Sequence, residues 1–346
     1  MTRTYRAGII GLGYIGGADQ VSGDALGQRV EDLDGTHIGA LSSHPRVEVV
    51  AGSSRDTGRR DRFAERTGIP TFADWQELIR QPDLDIVSVA TYTPAHHEIT
   101  IASVEAGAKV VYCEKPIART LAEAEDMADA CNRAGTLLVI NHNRRFHASA
   151  RRLRDFAAGG GLGDLTSAAV QWPSGRLGNV GTHMFDTLRM ITNREVIAVS
   201  GTLDLAGKPD CRGPEFTDPG GWGTVELEGN LICTVDARDW AKVPGTITLN
   251  GTEGRARTVN QDVVVEYWGG RSEYWKNEDP RGNGMDVAVH EIVDHLDGTA
   301  AFPCTAIQSV KTLEVIIGFH ASHARQAART VLPLTGRDRE IRLESG

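Results

Sequence analysis

A lysine stands between a glutamate and a proline, Glu114-Lys115-Pro116, directly after the apolar run Val110-Val111-Tyr112-Cys113. About a hundred residues earlier another apolar run, residues 6–10, ends in the turn Gly11-Leu12-Gly13-Tyr14-Ile15-Gly16. In such a turn Gly11 permits the tight bend, Gly13 lets the backbone approach a pyrophosphate, and Gly16 lets the next helix pack closely on its strand. A lysine at the carboxyl end of a later strand of the same sheet adds a group that can take up the proton of an alcohol or hold its oxygen. Pro116 fixes the direction in which the chain leaves that strand. Together these features predict hydride chemistry on a nicotinamide, with Lys115 as the first catalytic candidate. The alternative is a surface lysine paired with Glu114 or Asp126, for which a strand end followed by proline is a poor location.

A second set of residues able to do chemistry lies at Gly181-Thr182-His183-Met184-Phe185-Asp186. On a helix His183 shares a face with Asn179, four residues before it, and Asp186, three residues after it. His183 is therefore the second catalytic candidate, weighed against a histidine satisfied within the core. Asn179 can orient the imidazole or bind substrate but cannot carry a proton charge. Asp186 either contacts substrate or holds a neighbouring structure. Just upstream, Trp172 offers an indole face on which a sugar could stack, and Arg176 a guanidinium for an oxyanion.

Cofactor choice is read at the end of the second strand, where an acidic residue holds the ribose 2′-hydroxyl of NAD and repels the 2′-phosphate of NADP. Here residues 51–55 read Ala-Gly-Ser-Ser-Arg, so Ser53, Ser54 and Arg55 offer hydroxyl donors and a guanidinium. Arg59, Arg60 and Arg62 follow, diluted by Asp56 and Asp61. NADP is favoured over NAD, against the alternative of a solvated basic helix face. No metal site is expected, because the histidines at 290, 295, 320 and 323 lack a matched set of carboxylates or thiols. The five cysteines are odd in number and show no C-x-x-C spacing, which favours reduced thiols.

The elements that must position these groups alternate through the first part of the chain. Strands are expected at residues 6–10, 47–51, 86–90, 110–113 and 137–141, with helices at 58–67, 73–80, 95–106 and 120–134. That order predicts an N-terminal α/β domain over residues 1–146, a Rossmann-type doubly wound parallel sheet. Residues 17–35 carry four glycines, so an extended insertion loop is expected before a helix capped near Thr36. The second half, residues 147–336, opens on a helix at 149–158. It continues in Val-, Thr- and Ile-rich strands from 165 to 268, interrupted by the His183 helix, and ends on a long helix at 306–329. This predicts an α+β domain with an open, mainly antiparallel sheet, followed by a charged, frayed tail at 337–346. A net charge of −9 argues against nucleic-acid or anionic-membrane partners. The opening residues show no apolar leader and no stretch reaches eighteen apolar residues, so a soluble cytoplasmic protein is expected.

In order and spacing, the Gly11–Gly16 turn, Glu114-Lys115-Pro116 and the residues from Gly181 to Asp186 resemble the glucose-fructose oxidoreductase, inositol dehydrogenase and rhizopine catabolism (Gfo/Idh/MocA) family over residues 6–334. The resemblance implies a nicotinamide-dependent dehydrogenase or reductase of a sugar, sugar derivative or cyclitol, assembled as a homodimer or homotetramer through the second sheet. It places Thr91, Tyr92, Pro94 and His97 beside the nicotinamide ribose or substrate, with His96 as a packing residue. Glu114 and Lys115 fall at the cofactor site, and Arg145, within Asn141-His142-Asn143-Arg144-Arg145-Phe146, turns toward cofactor or substrate. Family members carry aspartate where this chain has Asn179, which weakens a proton relay through His183. Two other readings remain. One is a glycoside-cleaving enzyme that oxidises a ring hydroxyl transiently on a tightly held cofactor. The other is a non-catalytic nucleotide-sensing or partner-binding protein on the same fold.

Overall fold

The structure is a computed structural model and describes residues 3–21, 29–173, 175–205, 216–239 and 243–345. The chain begins with β1 (Tyr5–Ile10), α1 (Tyr14–Gly17), α2 (His37–Ser43), β2 (Val47–Ser53), α3 (Thr57–Thr67), β3 (Thr71–Phe72) and α4 (Trp75–Ile79). It continues with β4 (Ile86–Val89), α5 (His96–Glu105), β5 (Val110–Cys113), α6 (Leu121–Ala134) and β6 (Leu137–Ile140). The six strands form one sheet in the order β3-β2-β1-β4-β5-β6, every pair parallel. All four residues of β4 and of β5 are buried, as strands covered on both faces require. The strand order reverses between β1 and β4, whose carboxyl ends form the switch point where such folds bind ligands, and β5 lies beside β4.

The helix after the glycine turn is cut short. Tyr14–Gly17 makes one turn and ends at Ala18 in the left-handed region (φ 57°), while Thr36, whose hydroxyl accepts from Gly39 N at 3.1 Å, caps α2 as expected. The first ends of the insertion are pinned: Asp19 takes a bidentate bond from Arg62 at 2.9 and 2.6 Å, and Arg66 donates to Gly17 O. At its far end Asp34 accepts from Asn143 Nδ2 at 2.8 Å and from Gly284 N at 3.2 Å. The middle of the expected loop, residues 22–28, lies outside the described residues.

The second run of elements comprises α7 (Ala148–Ala158), β7 (Leu165–Gln171), α8 (Thr182–Thr192), β8 (Val196–Asp204), β9 (Gly220–Leu227), β10 (Leu231–Ala237), β11 (Thr246–Gly251), β12 (Gly254–Val259), β13 (Asp262–Tyr267) and β14 (Ser272–Trp275). These are followed by α9 (Gly284–Leu296), α10 (Ala306–Ala324) and β15 (Thr330–Val331). The second sheet has nine strands in the order β14-β13-β12-β11-β7-β10-β9-β8-β15, antiparallel except for the β10–β7 pair. The last long helix ends at Ala324, short of the expected 329, where Gln326 and Ala327 take positive φ.

Two compact units result: residues 1–118, 123–143 and 280–308 in the first, and 119–122, 144–279 and 309–346 in the second. Helix α9, late in the sequence, thus packs with the first unit, its amino end closed by an Asn283/Asp286 capping box. The tail does not fray. Thr217 pairs with Glu344 as an isolated bridge, Leu343 N donates to Arg119 O at 2.8 Å, and Leu343 and Ser345 are fully buried. A segment this charged holds because Leu343 is buried and two of its carboxylates find partners, Glu344 in Arg119 and Asp338 in Arg325.

Candidate active site

In the first unit the glycine turn fits a dinucleotide. Gly11 has φ +101°, and a Cβ there would lie 2.2 Å from Ala90 O; one at Gly16 would lie 1.9 Å from Gly11 O. The backbone of the turn is therefore open to a pyrophosphate only as glycine. Gly13 caps α1, with its carbonyl accepting from Gly17 N at 2.9 Å; Tyr14 is buried and Ile15 half-buried.

At the end of β2, Ser53 is buried, Ser54 half-buried and Arg55 exposed. The basic cluster expected beside them is mostly committed elsewhere. Arg60 donates to Ser54 O at 2.6 Å and Arg55 O at 3.0 Å, tying the strand end to α3, while Arg62 pairs with Asp19 and Arg59 stands 3.9 Å from the same carboxylate. Burial alone would raise the Asp19 carboxyl, but the hydrogen bond and charge of Arg62 keep it below its ordinary value. Ser54 and Arg55 are what this end of the strand offers to an adenosine ribose.

Lys115 follows β5 and is half-buried, with a cis peptide bond to Pro116. The carboxylate of Glu114, 7% exposed, sits at the centre of a polar network. Its Oε1 accepts from His37 Nε2 at 3.0 Å and from Asn141 Nδ2 at 2.6 Å, and Oε2 accepts from Lys115 N at 3.3 Å. Beyond these, Ser88 Oγ lies 2.7 Å from His37 Nδ1, and Tyr112 OH donates to Asn141 Oδ1 at 2.8 Å. Burial opposes the charge of Glu114, yet the bond from His37, the charges of Lys115 and His37, and the bond from Asn141 hold its carboxyl at about 2. His37 escapes the sequence reading. Its only signal is a polar residue at the α2 position that shares the buried face with Ala40 and Leu41, three and four residues on.

The histidines after β4 divide. His96 is fully buried, with Nδ1 2.9 Å from Pro116 O and Nε2 3.1 Å from Thr91 O, so it ties the turn after β4 to the turn after Lys115. Carbonyls only accept, and both bonds are complete only when both ring nitrogens carry protons. His97, expected beside the ribose, instead bonds Asp126 Oδ2 of α6 at 2.8 Å on the surface. Thr91 and Tyr92 are half-buried and Pro94 exposed.

In the second unit the residues before α8 form a π turn, Leu177–Gly181, in which Val180 N and Gly181 N both reach Arg176 O. This turn carries Asn179 into the start of the His183 helix; both side chains are half-buried. Asp218 anchors it, accepting from Gly178 N at 2.7 Å, Asn179 N at 2.8 Å and Ser345 Oγ at 3.1 Å. Its separation from the turn in sequence hid that role. Arg176, at φ 62° and ψ 76°, occupies a conformation rare for a residue with a Cβ.

Two expected substrate residues are corrected. Trp172 is 1% exposed, its Nε1 donating to Gly175 O at 2.6 Å and its ring edge-on to Phe185 at 5.7 Å, so no sugar can stack on it. Arg145 gives Nε and Nη2 to the two oxygens of Asp186, both at 2.7 Å, making the pair a buried ion pair of the second unit.

Among the described residues no group of three or more His, Cys, Asp or Glu side chains could hold a metal ion, and no helix is long and apolar enough to cross a membrane. Cys113, Cys131 and Cys233 are buried free thiols, and burial pushes the last two up to about 12.

Residues 5–142 match the family described as "Oxidoreductase family, NAD-binding Rossmann fold". The chain is 32% identical over 242 residues to 1,5-anhydro-D-fructose reductase of Ensifer adhaerens, covering 63% of this chain and 70% of that protein. It is 29% identical over 241 residues to trans-1,2-dihydrobenzene-1,2-diol dehydrogenase of Macaca fuscata fuscata, covering 64% and 69%. Among solved structures, levoglucosan dehydrogenase in complex with NADH and levoglucosan superposes with a TM-score of 0.78 at 19% identity, over 96% of this chain and 100% of that one.

Proposed function

The chain belongs to the Gfo/Idh/MocA family of oxidoreductases, and on that footing we propose that it is an NADP-preferring dehydrogenase or reductase acting on a secondary hydroxyl or ketone of a sugar, sugar derivative or cyclitol. The observation that carries this is Lys115 at the mouth of β5, backed by an ionised Glu114 and set in the same sheet as the glycine turn. The relatives named for 1,5-anhydro-D-fructose and for a dihydrodiol support a cyclic, hydroxylated substrate. In this reading the first unit holds cofactor and the second holds substrate. The nicotinamide, when bound, supplies the hydride acceptor or donor. Gly11, Gly13 and Gly16 admit the pyrophosphate, and Ser54 and Arg55 meet the adenosine ribose, with Ser53 buried behind them. Lys115 acts at the substrate oxygen, His183 assists in moving its proton, and Asn179 orients the imidazole or the substrate without carrying charge. The protein works in the cytoplasm, where its buried cysteines stay reduced.

The test is a survey of sugars and cyclitols with NADP and with NAD, following nicotinamide absorbance. Steady turnover with a polyol and NADP is expected. Conversion of a glycoside without net absorbance change would instead favour the transient-oxidation chemistry, and cofactor binding with no turnover on any polyol a sensing role.

Cofactor preference is tested at β2. Ser54→Asp places a carboxylate where the 2′-phosphate would sit, so it should weaken NADP several-fold and favour NAD in a fluorescence titration. A wild-type protein that binds NAD more tightly than NADP overturns the assignment.

Self-association is proposed through the free face of the second sheet. Trp222, Ile232 and Tyr274 project from it at 42, 43 and 57% exposure, amid Thr224, Thr234 and Thr248. Light scattering at micromolar concentration should give a dimer or tetramer; a monomer rejects the interface.

A further inference from the structure

The helical run that carries His183 begins without a cap of its own. From Leu177 to Thr192 the backbone is helical, first as the π turn and then as α8, and Arg176, the residue before it, makes no side-chain cap. Val180 N and Gly181 N close on Arg176 O at 2.9 and 3.1 Å, which leaves the amides of Leu177, Gly178 and Asn179 without an acceptor inside the run. All three are taken by two residues from elsewhere in the second unit. Leu177 N donates to Pro219 O at 3.0 Å, Gly178 N to Asp218 Oδ1 at 2.7 Å and Asn179 N to Asp218 Oδ2 at 2.8 Å. A carboxylate at this end of a helix also faces the positive pole of its dipole.

Asp218 is in turn held by the segment 343–345. Glu344 O accepts from Thr217 N at 2.8 Å, Ser345 Oγ donates to Asp218 Oδ2 at 3.1 Å, and Leu343 and Ser345 are both 0% exposed. The same segment presses on the turn itself. A Cβ at Gly178 would lie 2.8 Å from Ser345 Cβ and 2.9 Å from Leu343 Cδ2, so only glycine fits at position 178 without moving the segment. Arg119 anchors the segment from its other side: its carbonyl accepts from Leu343 N at 2.8 Å and its guanidinium pairs with Glu344. Leu343 supplies the apolar burial, and the hydroxyl and main-chain bonds fix its register against the turn.

Resting on the reading of Asn179 as a residue that orients the substrate or the His183 imidazole, we propose that Asp218 and Ser345 are positioning residues for the reaction. Asp218 caps the turn from outside, Ser345 fixes Asp218, and the place of the Asn179 side chain, one turn before His183, follows from both. Ser345 is closed to solvent and Asp218 nearly so, so they act through Asn179. A turn held at its first amides presents Asn179 in one place, and loosening it loses orientation rather than a contact.

The test combines hydrogen exchange with kinetics on Asp218→Asn and Ser345→Ala. Peptides covering residues 177–181 should exchange about tenfold faster in Asp218→Asn, whose amide cannot accept from both main-chain donors, and faster by a smaller factor in Ser345→Ala. On the best polyol, kcat/KM should fall about tenfold in Asp218→Asn, mainly through KM, while the NADP dissociation constant stays within about twofold of wild type. Because both residues act through Asn179, adding Ser345→Ala to Asn179→Ala should lower kcat/KM no further, a non-additivity that a general loss of stability would not produce. Unchanged exchange in both variants, full additivity with Asn179→Ala, or faster exchange with unaltered kcat/KM overturns the proposal. Ser345→Ala removes a single oxygen and carries the test if Asp218→Asn does not fold. A wild-type protein that turns over no polyol overturns the proposed function instead, and exchange at residues 177–181 then still decides whether Asp218 and Ser345 hold the turn.

Discussion

Replacing Lys115 by methionine should lower kcat by at least about a hundredfold while leaving cofactor affinity within about twofold of wild type. Methionine keeps the unbranched length of the side chain and removes only its charge and donors. The glycine turn and the end of β2 keep their own contacts in the variant, so most of the cofactor affinity should remain. In the proposed mechanism the variant loses the group that meets the reacting oxygen, an interaction stronger in the transition state than in the ground state, so kcat should fall and KM change little. His183→Ala should also be damaging. Separate titrations of cofactor and steady-state kinetics on the best polyol check the result. Near-normal turnover by Lys115→Met would remove the catalytic assignment altogether, because it rests on that residue.

The first sheet was legible because its strands are short apolar runs at regular spacing. Val110–Cys113 has the expected bounds, and a strand with both faces covered shows its burial directly in its residue types. Thr36 was legible for a local reason too, since a capping hydroxyl and the amide it accepts are three residues apart. The parts that stayed hidden join distant residues. His37 and Glu114 are separated by 77 positions, and Asp218 and Ser345 by 127. Trp172 shows how residue type misleads: an indole beside a histidine helix suggests a stacking platform, but the ring is buried and its Nε1 donates to Gly175 O. Similarly, the arginines after β2 suggest a phosphate site until Asp19, on the far side of the glycine turn, takes up Arg62 and approaches Arg59. A charge run in sequence carries no record of which carboxylates will fold against it.

Asp186 provides the second large effect, this time on stability. Its two oxygens receive the fork of Arg145, and Oδ1 also accepts from Thr312 Oγ1 at 3.2 Å. The chain of bonds continues through Arg189, whose Nη1 donates to Thr312 at 2.8 Å and whose Nε and Nη2 hold Glu195 at 2.9 and 2.6 Å. The side chains of Arg145 and Asp186 are 12% and 1% exposed, so water cannot replace a lost partner. Asp186→Asn leaves a buried guanidinium without its counter-charge, which should cost about 3–5 kcal/mol. For a unit of this size that lowers Tm by roughly 6 °C or more in calorimetry. If Asp186 instead contacts substrate, Asp186→Asn should raise KM with Tm nearly unchanged. The double variant Arg145→Met/Asp186→Leu separates the two: removing both charges should recover most of the stability lost by Asp186→Asn, because an apolar pair of similar volume avoids burying an unpaired ion. A double variant no more stable than the single one would mean that the ion pair is not what Asp186 contributes.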